Sequence, residues 1–232
     1  MNLLAHAALA YLSLDELPGV KKEGEIAAFL TGSLMADFCR GCNLADYSGT
    51  LALAIQQHRA IDYETDASSE FIACRQALAA AGAPRHTASI LVDMFWGHIL
   101  AADWKQLVEP GCGLDLSAFS SLLYGILNTV RQDRKKDDVE RANMGAEIGV
   151  SPAFARAAVW MVDYHWFEGL ARRSGIAQSL QGLSRRLSGA DELAKSISLL
   201  DTQEELLRKA LYAFWPRLVA FSRQWAADHC EC

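Results

Sequence analysis

The chain has 232 residues, enough for one large domain or two small ones. Hydrophobic residues make up 51% and charged residues 22%, so there is enough apolar side chain to offset the entropy of ordering, and disorder is excluded for most of the chain. Twenty-two basic residues stand against 28 acidic ones, and the resulting charge of −6 excludes the basic footprint of a general nucleic-acid binder.

Membrane insertion is not expected. The longest uncharged stretches, Met1–Leu14 and Leu116–Val130, fall short of the roughly 18 apolar residues that a span requires. No Lys or Arg precedes Lys21, so the positive start of a signal peptide is missing. The six cysteines then read as reduced thiols, and the expected compartment is the cytoplasm.

Taken in chain order, almost every periodic stretch predicts helix. Glu23–Phe38, Ser48–Asp62 and Ser68–Ala81 carry Ala, Leu and Ile at helical spacing. Gly82-Ala83-Pro84 breaks the pattern, and a further helix runs from about His86 to Leu107 before Pro110-Gly111. Ser117–Arg134 is amphipathic and leads into a charge run ending at Arg141, read as a solvated helix end. Ser151-Pro152 starts another helix, with serine at the cap and proline in the first turn. Gln203–Ala227 forms the last helix, with a bend expected at Pro216. Sustained alternation is absent, so the prediction is an all-α, single-domain helical bundle covering residues 1–232. The tryptophans read as core and helix-end packing.

Several polar residues interrupt apolar helices. His6 lies in the apolar segment Met1–Leu14, where it is either a satisfied core histidine or a ligand. Asp37 sits among Leu34, Met35, Ala36 and Phe38, which is unfavourable unless it is paired or binds a metal; Arg40, three residues on, offers the ion pair. His58 and Asp62 are four apart and project from one helix face, with Asp66 extending the stripe. Imidazole with carboxylate suits Mn²⁺, Fe²⁺ or Zn²⁺, and Arg59 and Thr65 could hold phosphate oxygens beside the ion. The alternative is a surface ladder of His58, Arg59 and Asp62. Asp93 and His98 interrupt a further apolar helix. Their spacing sets them about 140° apart, so one of them would act by orienting a ligand. Together these residues fit a metal site inside a helical bundle, able to activate water against a phosphate ester. A weaker competitor is a zinc site from Cys39, Cys42, Cys230 and Cys232. No G-x-S-x-G elbow, phosphate loop or dinucleotide fingerprint is present.

Four ordered blocks resemble the bacterial acyl carrier protein phosphodiesterases. They are Asn2-Leu3-Leu4-Ala5-His6-Ala7-Ala8-Leu9-Ala10; Gly32 to Gly41; His58-Arg59-Ala60-Ile61-Asp62 with Thr65-Asp66; and Asp93 to Leu100 with Trp104. A fainter echo runs through Gly182–Arg186 and Phe214–Arg217. The resemblance implies a helical enzyme, distantly similar to HD-domain phosphohydrolases. Its implied reaction is hydrolysis of the phosphodiester between 4′-phosphopantetheine and a serine of holo acyl carrier protein. It also implies a divalent metal, Mn²⁺ first with Mg²⁺ or Fe²⁺ as alternatives. On this sequence it singles out His6, Asp37, His58, Asp62 and Asp93 as metal ligands, Asp66, His98 and Arg59 as catalytic groups, and Arg40 as a substrate contact. The chain departs from the pattern in having no adjacent His-Asp pair, in Gly97 where an aspartate is expected, and in a longer Asp15–Glu25 segment.

Two other readings stay open: a metal phosphohydrolase acting on a nucleotide or other small diester, and a non-catalytic helical binding protein. Since carrier proteins are acidic and this chain is also negative, recognition would require a local basic patch. Arg131/Arg134/Lys135/Lys136, Arg172/Arg173 and Arg185/Arg186 are the candidates. The sequence does not disclose the oligomeric state.

Overall fold

A computed structural model describes residues 1–39, 41, 43–47, 49–140, 150–186 and 192–229, with the backbone course alone for 132–140 and 186. Among these residues there is no strand, and the all-α prediction holds. The helices are α1 (Leu3–Leu12), α2 (Glu23–Met35), α3 (Gly49–Ala67), α4 (Ser69–Ala80), α5 (Ala88–Ala102), α6 (Trp104–Leu107), α7 (Glu109–Cys112), α8 (Leu116–Glu140), α9 (Pro152–Asp163), α10 (Trp166–Gly169), α11 (Arg173–Arg186) and α12 (Ile197–Asp228). None of the described helices is long and apolar enough to cross a membrane.

α1 is the central rod. Asn2 caps it by accepting the Ala5 N–H at 3.0 Å, and its Ala and Leu side chains are buried all round, as a helix apolar on every face must be. Its C-terminal end is tied by polar links inside the core. Gln57 donates to Ser13 Oγ at 2.9 Å and to the Ser222 carbonyl, while Ser222 Oγ donates to the Leu9 carbonyl. These bonds lock α1, α3 and α12 to one another and satisfy groups that burial would otherwise penalise.

α2 and α3 pack in close approach at Gly32, where a Cβ would come within 2.7 Å of the Leu51 carbonyl oxygen. α3 runs on to Ala67, beyond the predicted end at Asp62, and α12 begins earlier than predicted and continues through Pro216. The predicted helix from His86 to Leu107 is interrupted at Asp103. The Asp103 carboxylate accepts from Arg208 and from the Tyr212 hydroxyl of α12, and its backbone leaves the helical region. Pro110-Gly111, expected as a stop, lies within the short turn α7.

α8, α9 and α10 form the other side of the bundle. Tyr124 of α8 donates to Glu168 at 2.6 Å and accepts from the Phe167 N–H, and Arg131 pairs with Asp163 at 2.8 Å. Phe38, in the 3₁₀ turn Ala36–Phe38 that ends α2, packs its ring against Phe154 of α9 at 5.5 Å between centroids. The buried apolar side chains from α1 to α12 form one connected cluster.

Candidate metal centre

The site lies where the start of α1, the end of α2, the last turns of α3 and the middle of α5 meet. His6 and His58 stack face to face, with centroids 3.5 Å apart and planes 10° from parallel; both rings are buried. Asp62, one turn beyond His58 on α3, accepts from His6 Nε2 at 3.0 Å with one oxygen and faces His58 Nε2 at 3.3 Å with the other. Asp37 approaches His58 Nε2 to 3.6 Å from the 3₁₀ turn. The amino group of Met1 lies 3.1 Å from Asp62 and 3.2 Å from Asp93.

The chemistry turns on His58. Its Nδ1 is 2.7 Å from the Ser33 carbonyl, which can only accept, so Nδ1 carries the hydrogen. In the neutral ring Nε2 is then a buried lone pair without a hydrogen bond, aimed between two carboxylates. That arrangement is repulsive unless a cation lies there, either a proton or a metal ion. In the metal-free protein the proton serves: burial opposes the charge, but Asp37 and Asp62 outweigh it and hold the imidazolium up to about 9. His6 goes the other way, driven by burial and by the stacked His58 down to about 3. Burial would raise Asp62, yet His58, His6 and the Met1 amine hold it well below the usual carboxylate range.

The donor set fits a divalent ion. Ligand atoms of His6, His58 and Asp62 all lie within 4.8 Å of one another, and two imidazoles with a carboxylate suit a borderline first-row cation. A metal-binding histidine usually gives its other ring nitrogen to a carbonyl, as His58 does to Ser33. With Nδ1 donating, Nε2 is the nitrogen that could take a metal ion in place of the proton.

The remaining sequence-predicted residues spread out from this point. Asp93 is part-buried, and burial raises its carboxyl against the opposing pull of the Met1 amine. Arg59 is exposed at the rim and donates to the Cys39 carbonyl at 3.3 Å, two residues from Asp37. Asp66 is exposed one turn beyond Asp62. His98 is not brought to the cluster: its Nδ1 is bound to the Leu170 carbonyl at 2.7 Å, and it has no carboxylate within ion-pair distance among the described residues. Thr65 is fully buried, away from any phosphate-binding surface. Arg40 lies outside the described residues, as do Cys42, Cys230 and Cys232 of the alternative zinc set.

No single-residue signal pointed to Asn2. Its Nδ2 donates to the Asp93 carbonyl at 3.1 Å while its Oδ1 caps α1, so one side chain fixes the helix carrying His6 against the helix carrying Asp93. Gly97 makes this possible, because a Cβ there would fall 1.5 Å from Asn2 Nδ2. A side chain at 97 would therefore have to displace the Asn2 amide from this place. The spacing of Asn2 ahead of an apolar helix is a cap signal, but only the fold shows what the cap touches.

The sequence profile for acyl carrier protein phosphodiesterases matches residues 1–218. The chain belongs to this family. Among named members, the acyl carrier protein phosphodiesterase of Klebsiella pneumoniae subsp. pneumoniae is 28% identical over 219 residues, covering 94% of this chain and 96% of that one. Those of Salmonella agona and Yersinia enterocolitica are each 27% identical, over 95% of this chain and 96% of theirs. No solved structure matches. The match thus covers every helix that contributes to the candidate site.

Proposed function

We propose that the chain is a cytoplasmic hydrolase that cleaves the phosphodiester between 4′-phosphopantetheine and the serine of holo acyl carrier protein, within one helical domain over residues 1–232. Supporting this reading is the His58 lone pair, held by Ser33 and aimed between Asp37 and Asp62 beside His6, in a chain that matches the family along nearly its whole length. His6, His58 and Asp62 would hold a divalent ion, Mn²⁺ first, with Asp37 and Asp93 at its margin. Bound there, the ion would supply Lewis acidity, lowering the pKa of water and neutralising charge on the phosphoryl oxygens.

The protein's own groups do the rest. Asp37, part-exposed 3.6 Å from His58 Nε2, would take the proton of the attacking water as the new O–P bond forms. Asp66, exposed one turn beyond Asp62, would take up a proton from solvent and give it to the serine oxygen as the P–O bond breaks. Arg59, whose guanidinium donates to the Cys39 carbonyl near Asp37, would offer its remaining donors to phosphoryl oxygens as they gain charge. His98 acts from behind, through its bond to Leu170, by fixing α5.

Mass spectrometry of holo acyl carrier protein, incubated with this protein and Mn²⁺ beside a chelated control, tests the reading. Metal-dependent loss of the phosphopantetheine mass is the expected result. An intact holo protein in the presence of a metal-loaded preparation would contradict it and redirect the chemistry to other phosphodiesters.

A further inference from the structure

Residues 150–186 carry five arginines against two acids, a positive segment in a chain whose total is −6. Both acids are engaged, Asp163 by Arg131 and Glu168 by the Tyr124 hydroxyl. Arg173 is likewise paired, with Asp201 at 2.6 Å. Arg156 and Arg172 are exposed and have no ion-pair partner among the described residues. Among the described residues the positive charge they carry is thus left to solvent.

The same surface leaves aromatic rings in water. Trp160 is 40% exposed and Tyr164 66% exposed, so Trp160 is not one of the tryptophans that fill the core. Arg156 and Trp160 on α9 and Tyr164 at its C-cap recur every four residues and so form one stripe, opposite the buried Phe154, Ala158 and Met161. Trp160 lies 5.6 Å from Tyr164 and 6.3 Å from Trp166, ring centre to ring centre, and the Trp166 indole is fixed by donating to Ser179. These rings and Arg172 border a cleft of about 80 Å³. Clustered Trp, Tyr and Arg, held rigid and half in water, have the composition of interface hot spots.

Position connects this surface to the metal centre. Phe154, at the start of α9, packs on Phe38, the neighbour of Asp37. Trp160 is six residues on, about 9 Å along the helix axis.

We propose that Arg156 and Trp160 on α9 and Tyr164 at its C-cap, with Trp166 and Arg172 across the cleft, form the docking surface for the acidic carrier protein whose prosthetic group enters the candidate metal centre. This inference rests on the proposed activity for the identity of the partner. The arginines steer and orient an acidic helix surface that overall charge would repel, and the rings supply the contact area. Of the basic clusters expected from sequence, Arg131 and Arg173 are paired internally, the side chains of Arg134, Lys135, Lys136 and Arg186 lie outside the described residues, and Arg172 and Arg185 are exposed; Arg172 is the one that borders this cleft, joined by Arg156.

Binding of apo acyl carrier protein, the product, to the Mn²⁺-loaded enzyme separates docking from turnover. Calorimetric titration is made with wild type, Trp160→Ala and the double variant Arg156→Glu/Arg172→Glu. The expected result is a Kd raised about tenfold or more in each variant. The Kd of wild type should also weaken with salt, and the double variant should lose most of that salt dependence. An unchanged Kd in both variants would overturn the docking surface, as would absence of wild-type binding. A wild-type dimer that Trp160→Ala dissociates while carrier binding stays the same would overturn it too, by assigning the face to a second copy. Hydrolysis of holo carrier protein, followed in parallel, reports on the activity separately: weaker binding in the variants without wild-type hydrolysis keeps the surface and removes the activity.

Discussion

His58 and His98 are buried, and each gives its Nδ1 hydrogen to a backbone carbonyl at 2.7 Å, Ser33 for one and Leu170 for the other. They differ in what surrounds the second nitrogen. That of His58 faces Asp37 and Asp62 and stacks on a second imidazole, whereas His98 has no carboxylate within reach. A carbonyl-anchored histidine is thus not by itself a ligand. The convergence of carboxylates on its free nitrogen makes the difference, and that convergence comes from helices distant in sequence.

The largest expected effect falls on the group shared by both imidazoles. Asp62→Asn removes the carboxylate that contacts His6, His58 and the Met1 amine, and kcat/KM for holo carrier protein should fall about 10³-fold. Steady-state kinetics with circular dichroism as the folding control reads this, and near-normal turnover would remove Asp62 from the site.

The two histidines themselves provide the next contrast. His58→Gln should abolish stoichiometric metal, measured by elemental analysis after gel filtration. His98→Gln should retain metal and lose about 1–3 kcal/mol of stability from the orphaned Leu170 carbonyl. If both variants lose metal alike, the distinction between the two sites fails.

The pH response tests the His58 site further. His58 keeps its proton to about 9 against an ordinary 6.5, so the stability it lends the metal-free protein is complete below pH 6.5 and lost as pH rises through 9. The Met1 amine, raised from 8 to about 10, acts in the same sense at higher pH. His6, lowered to about 3, destabilises as pH falls below 6.5. Denaturant melts of chelated protein should therefore be most stable near pH 6.5. Metal competes with the His58 proton, so affinity for Mn²⁺ should climb over the same interval up to 9. A metal affinity flat across that interval would contradict the geometry.

The smallest effects concern the support. Gly97→Ala forces Asn2 from its place and should cost about 1–3 kcal/mol. Adding Asn2→Ser, a shorter cap, should recover part of that loss. Thermal melts of the single and double variants check this, and a double variant no better than Gly97→Ala would show that Asn2 is not what the new methyl strikes.

Much of the fold was legible because helical periodicity is local. Sequence missed α11, whose Ser, Gly, Gln and Arg residues dilute the pattern of Ile176 and Leu180. The break at Asp103 was also hidden, since Arg208 and Tyr212 are brought there only by folding. At the site, His58 and Asp62 could be read from their spacing, and His6 and Asp37 from the apolar segments they interrupt. Asn2 and the Ser33 carbonyl could not, because a side-chain cap and a backbone oxygen carry no pattern that names their distant partners. His98 shares the same apolar context as His6, and only tertiary contacts separate them.

Electron spin-echo spectroscopy of the Mn²⁺-loaded protein tests the centre most directly, because it detects nitrogen bound to the ion. The geometry predicts coupling to imidazole nitrogen in wild type and in His98→Gln, diminished in His6→Gln and in His58→Gln. Bound Mn²⁺ without nitrogen coupling, or coupling that vanishes only in His98→Gln, would contradict it.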